Sequence, residues 1–242
     1  MAMTQDAITI VFYLTVFIVA VKAFMLVFIE AKIRHRKKEG NELSVSFMRA
    51  VWVMILCLLV SRLFYMYFDF VVTNFDTSHY HVGNNELSWK LGMLVVGLGM
   101  AYIVFVVDRK ILGFKFKGLF SWIILGGAIF QLLYPIETAA DFSFVSAVGI
   151  LPNLGMLVIF VVFINIAIKT SGTVRRTATI LIMSMLLIAV AALLVNAGLI
   201  EALDTAIGLV PPESVDVYMY LTQSVMKTIG IVMLAVGASR WR

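Results

Sequence analysis

Residues Val217 to Ala238 read VYMYLTQSVMKTIGIVMLAVGA. The run is long enough to cross a bilayer, whose ~30 Å hydrocarbon core takes about 20 apolar residues. Near its middle stands Lys227. An amine there lies about ten residues, roughly 15 Å of helix, from either end, and a lysine stem does not readily carry its head so far to water. An ionisable side chain at that depth marks a functional position by default and calls for a named partner. The other spans are therefore read as the surroundings of this lysine.

Working outward, the composition agrees. The chain of 242 residues is 62% hydrophobic and only 14% charged, with a mean hydropathy of +1.02; soluble domains carry about 25% charged residues. The apolar runs are continuous rather than alternating, which excludes a β-barrel. The reading is an all-α polytopic membrane protein, a single seven-helix domain over residues 1–242 with no soluble domain, its spans at about 7–29, 46–70, 88–107, 119–136, 145–168, 177–199 and 217–238. No cleavable leader is expected, because no basic stretch precedes the first span and no small-residue cleavage site follows it. Cys57 is the only cysteine, so no intrachain disulfide forms.

Charge sorts the loops into two sets. Lys32, Arg34, Arg36, Lys37 and Lys38 follow span one; Arg109, Lys110, Lys115 and Lys117 follow span three; Lys169, Arg175 and Arg176 follow span five; Arg240 and Arg242 follow span seven. The intervening connections carry Asp76, Glu86, Glu137, Asp141, Glu201, Asp204, Glu213 and Asp216. The Lys/Arg bias predicts an N-terminus outside and a C-terminus inside; the expected location is the cytoplasmic membrane of a prokaryote. The net charge of +5 is thereby explained without nucleic acid. Lys32, Arg34, Arg36, Lys37, Lys38, Arg175 and Arg176 form the surface expected to meet anionic lipid or a separate cytoplasmic signalling partner.

Four basic residues lie neither in the inner loops nor, like Arg49, at the inner end of a span. Lys90, at the outer start of span three, is expected to reach headgroups, and Lys22, inward of the centre of span one, to snorkel inward. Arg62 shares a helical face with Tyr65 and Asp69, and an ion pair with Asp69, Glu137 or Asp141 would neutralise it; Arg62 is thus expected to matter more to folding than Lys90. Lys227 shares its face with Tyr220, Gln223 and Gly230, and no carboxylate of another span lies at its depth. Asn165, Asn196 or Gln131 could bond it. The expected cavity is lined by Lys227, Gln223, Tyr220, Asn165, Asn196, Arg62 and Asp69, with Gly230 leaving room beside the lysine. Pro152-Asn153 is expected to kink span five.

Seven spans, an outside N-terminus and a lysine in the middle of the last helix give a layout that resembles the microbial rhodopsins, which would make Lys227 the retinal Schiff-base lysine. The likeness ends at the layout. Gln223 stands where that family usually has an aspartate, span three has no carboxylate for a counterion, and span six has no aromatic residue or proline to hold a polyene, so no retinal or other cofactor is expected. Thr170-Ser171-Gly172-Thr173-Val174-Arg175-Arg176-Thr177-Ala178 resembles the basic inner loop of the seven-helix sensor regions of prokaryotic histidine kinases. That resemblance implies a stand-alone sensory or receptor-like module signalling through a separate partner.

No catalytic residue is assigned and no enzyme is expected: the chain lacks a Gly-x-Ser-x-Gly elbow and paired intramembrane aspartates. His35, His79 and His81, the only histidines, all fall in loops, where His-x-His alone is a poor metal site, so no metal is assigned. Asp108-Arg109-Lys110 reads as ordinary helix-end charge. Glycines such as Gly97, Gly99, Gly230 and Gly237 permit close helix contact within the bundle, or between copies in a homo-oligomer. The expected function is a receptor or sensor for a small or lipidic ligand; a transporter or channel for a small anion, or a structural subunit of a membrane complex, are the alternatives.

Overall fold

The computed structural model describes residues 5–82, 84–194 and 212–241, and they form an all-helical bundle. The helices are α1 (Gln5–Lys38), α2 (Glu42–Tyr67), α3 (Glu86–Lys110), α4 (Leu119–Leu133), α5 (Ala139–Val148), α6 (Ile150–Lys169), α7 (Gly172–Leu193) and α8 (Pro212–Arg240). Five of them, α1, α2 with its extension to Val72, α3, α7 and α8, are long and apolar enough to cross a bilayer.

The two remaining expected spans take a different form. Tyr134 is extended at φ −66° and ψ 126°, because the ring of Pro135 crowds the helical conformation of the residue before it. α4 therefore stops at Leu133 after 15 residues, roughly 22 Å of helix. The expected span at 145–168 is divided at Gly149 into α5 and the 20-residue α6. Pro152 falls in the first turn of α6, where a missing N–H costs nothing. The expected kink is thus a break between two helices.

Helix neighbours close a ring: α1 lies against α2 and α8, α2 against α3 and α8, α3 against α4 and α6, and α7 between α6 and α8. Small residues set the closest approaches. A Cβ on Gly97 would come within 2.4 Å of the Ala128 Cβ on α4, and one on Gly237 within 2.8 Å of Leu181 on α7. Such contacts replace the hydrophobic drive that lipid does not supply between helices. The buried core runs through Ile29, Phe47, Met54, Ile103, Phe163, Leu181 and Leu234.

Each end of the bundle is tied together. At one end the Ser44 hydroxyl, near the start of α2, donates to the Trp241 carbonyl at 2.6 Å, and Phe47, Phe163 and Trp241 pack ring to ring. At the other, Phe68, Tyr80, Trp89 and Phe142 join the end of α2, the following loop and the starts of α3 and α5, and Phe75 meets Tyr220 of α8. α2 ends in a wider turn over Phe68–Val72, where the Thr73 amide reaches back five residues to the Phe68 carbonyl.

Candidate functional site: intramembrane cations between three helices

α1 and α2 run antiparallel, joined by a ladder of side-chain hydrogen bonds. The Trp52 indole N–H donates to the Leu26 carbonyl at 3.1 Å, Lys22 Nζ to the Leu58 carbonyl at 2.6 Å, and Arg62 Nη2 to Thr15 Oγ1 at 2.8 Å. The ladder sets Lys22 one helical turn from Arg62 across the interface. Lys22 is buried, 5% exposed; the expected snorkelling does not occur, because its amine has a carbonyl to bond inside the protein.

α8 closes the third side. Lys227 is half-buried and lies within electrostatic reach of Arg62, and Lys22 within reach of both Lys227 and Arg62. Three basic side chains from three helices thus stand within electrostatic reach of one another, Lys22 buried and Arg62 and Lys227 half-buried. Arg62 Nε is buried without a hydrogen-bond partner. Ion pairs among the described residues use Glu30, Glu39, Asp76 and Glu86, and none involves Lys22, Arg62 or Lys227. Asp69 stands within electrostatic reach of Arg62 without a direct ion pair, and Asp141 is occupied elsewhere. Its carboxylate accepts from Thr138 Oγ1 at 2.7 Å and from the Thr138 amide at 2.9 Å, capping α5. Arg62 is therefore held by a hydroxyl, not by the expected carboxylate.

Of the residues assigned to the cavity, Arg62 and Lys227 come together. Gln223 is buried one turn before Lys227 on α8, Tyr220 packs against Phe75 toward the end of the bundle, and Asp69 lies in the wide turn. Asn165 does not join them: it is exposed on α6. Asn196 lies outside the described residues. Gln131 bonds the Val145 carbonyl of α5 at 2.8 Å instead of Lys227. Gly230 faces α7, where an added Cβ would meet Ile188 at 2.8 Å, so it brings helices together and opens no space beside the lysine.

Two charged residues prove more structural than their positions suggest. Lys90 does not reach toward headgroups; it is buried, donates to the Tyr134 carbonyl at 2.8 Å and lies 3.6 Å from Glu86. Glu86 Oε2 is left buried without a partner. Asp108, read as ordinary helix-end charge, is buried and gathers the α3–α4 loop: its two carboxylate oxygens accept from the amides of Phe116 at 3.0 Å and Gly118 at 2.7 Å. The loop needs that clamp, since Phe114, Lys117 and Gly118 all take positive φ, which is unfavourable for the two that carry a Cβ.

The basic end offers a separate surface. Arg34 pairs with Glu30 at 2.9 Å and Arg36 with Glu39 at 2.7 Å, both within their own helix or its end. Lys32, Lys37, Lys38, Arg175 and Arg176 are exposed. No protein-family model matches this chain, and comparison with curated proteins and with solved structures finds no similar one.

Proposed function

We propose that the chain is a seven-helix membrane receptor or sensor, N-terminus outside and C-terminus inside in a prokaryotic cytoplasmic membrane, that binds a small or lipidic ligand among α1, α2 and α8. The observation that carries this reading is the convergence of Lys22, Arg62 and Lys227 with no ion-paired carboxylate among the described residues. Cations buried without partners are costly, and a ligand that meets them offsets that cost. α4, and α5 with α6, supply the fourth and fifth crossings. The same helix that carries Lys227 ends at Trp241, wedged between α2 and α6 at the basic end. A shift of α8 on binding would therefore reach the surface formed by Lys37, Lys38, Arg175 and Arg176, where anionic lipid or a cytoplasmic partner would sense it.

Native mass spectrometry of the protein released from its membrane tests this reading. The wild type should retain a small molecule that the Lys22→Met/Lys227→Met double variant has lost, while both melt cooperatively. Identical spectra free of any adduct would end it. The transporter reading rests on the same cations and separates in one assay: proteoliposomes that pass anions at a rate dependent on Lys227 would favour a transporter over a receptor.

A further inference from the structure

We infer that the group recognised between α1, α2 and α8 is an oxyanion, a carboxylate or phosphate, with Arg62 as its fork and Lys22 and Lys227 as its flanking charges. This rests on the ligand-binding reading above and names the chemistry of that ligand.

The donors argue for it. An arginine carries five N–H donors and a lysine three, and neither accepts. Arg62 gives one bond to Thr15 and Lys22 one to Leu58. Arg62 Nε, buried, has an N–H with nothing to receive it. Among the described residues Lys227 makes no side-chain hydrogen bond, so its amine is also free to donate. The site is therefore rich in donors and poor in acceptors. A cationic or donor-bearing ligand has no complement there. A planar carboxylate or a phosphate does, since several oxygens can receive several N–H groups at once and the side-on edge of a guanidinium matches two of them.

Charge agrees. Among the described residues, the three basic groups have one carboxylate within electrostatic reach, Asp69, which acts on Arg62. A bound anion lowers that excess where the low dielectric makes it most costly. The position selects between acceptors as well: Lys22 is tethered to a backbone carbonyl and Arg62 to a side chain of the facing helix, so the donors are fixed before the ligand arrives. Preorganised, directional donors favour an oxyanion over a spherical halide of the same charge.

Such a group could belong to an amphiphile entering from the bilayer or to a free anion entering from water. The full chain in nanodiscs of zwitterionic lipid, titrated with dodecanoate, dodecanol, acetate, inorganic phosphate and chloride and read by thermal shift and calorimetry, separates the two. Saturable binding of dodecanoate without dodecanol, acetate or phosphate assigns a lipidic acid. Binding of acetate or phosphate assigns a free oxyanion. In either case Arg62→Gln and Lys227→Met should each weaken binding at least about tenfold, the loss of a charge-assisted hydrogen bond. Lys227→Arg, which keeps charge and fold, should retain most of it, and Arg62→Lys should lose selectivity over chloride. Dodecanol binding as tightly as dodecanoate, or chloride as tightly as acetate or phosphate, overturns the oxyanion while leaving a ligand site in place. Failure of every probe, together with a wild type that carries no adduct in native mass spectrometry, removes the site itself.

Discussion

Lys90 lies in the second turn of α3, where a long side chain usually finds water, yet its amine is buried between Glu86 and the Tyr134 carbonyl. The reason is not local. The chain after α4 bends at Pro135 and lays that carbonyl over the lysine, an arrangement no reading of α3 alone could supply. Removing one partner of a buried pair leaves the other uncompensated, at about 3–5 kcal/mol. Lys90→Ala should therefore lower the melting temperature in detergent more than Arg62→Ala, which gives up one charged hydrogen bond worth about 1.5–3 kcal/mol, and Glu86→Gln/Lys90→Met should recover much of the loss. Equal effects of the two alanine variants would place Lys90 outside any buried pair. This reverses the order expected from sequence, where Arg62 had carboxylates within reach and Lys90 had headgroups. Lys227 and Arg62 were legible as intramembrane cations because depth in an apolar run is visible in a linear sequence. Lys22 was not, because only the facing carbonyl of Leu58 distinguishes a buried lysine from a snorkelling one.

Among helices, the break near Pro152 was read as a kink, whereas the stop of α4 short of the expected 119–136 and the helical phase were not read. The shortening of α4 follows from Pro135, and the division of the fifth span falls at Gly149 just ahead of Pro152. Asn165 was assigned to the interior because it is polar, but α6 is apolar nearly all round, so nothing in its pattern says which side faces the bundle; the structure turns Asn165 outward. Glycine contacts give a direct check of the observed phase. Gly97→Ala should destabilise, since its methyl would collide with Ala128, whereas Gly126→Ala, with open space at its Cβ, should be neutral or slightly stabilising. Destabilisation by both, measured in the same detergent, would mean α4 is rotated. The start of α5 carries a pH prediction. Hydrogen bonds from the Thr138 hydroxyl, and then from the Thr138 and Glu137 amides, hold the Asp141 carboxyl below the usual carboxylate range. A depressed folded value means the cap is in force above the ordinary value of about 3.9 and is lost as pH falls through the lower, folded one. Hydrogen exchange at Ala140 to Phe142 should rise only below that range, and Asp141→Ala should raise it at neutral pH.

For the whole molecule, the charge pattern and the contacts point the same way. Basic residues follow the helix ends that Ser44, Phe47, Phe163 and Trp241 tie together, and among the described residues the acidic Asp76, Glu86, Glu137 and Asp141 lie toward the end held by Phe68, Tyr80, Trp89 and Phe142. Single cysteines at Ser78 and Thr173 in a Cys57→Ser background should label from opposite sides of the membrane, with Ser78 outside; reaction of both from one side would overturn the orientation. With Lys37 and Lys38 exposed, replacing both by Gln should weaken binding to anionic vesicles by about 1 kcal/mol per charge, and added salt should shrink the difference. The proposed oxyanion site lies between α1, α2 and α8. A cryo-electron microscopy map of the protein in native-lipid nanodiscs examines it most directly. It should show Lys22, Arg62 and Lys227 converging on density that belongs to no residue, within hydrogen-bond distance of Arg62 Nε and Lys227 Nζ. A Lys227 side chain turned into lipid, or a site closed by apolar packing with no such density, would contradict it.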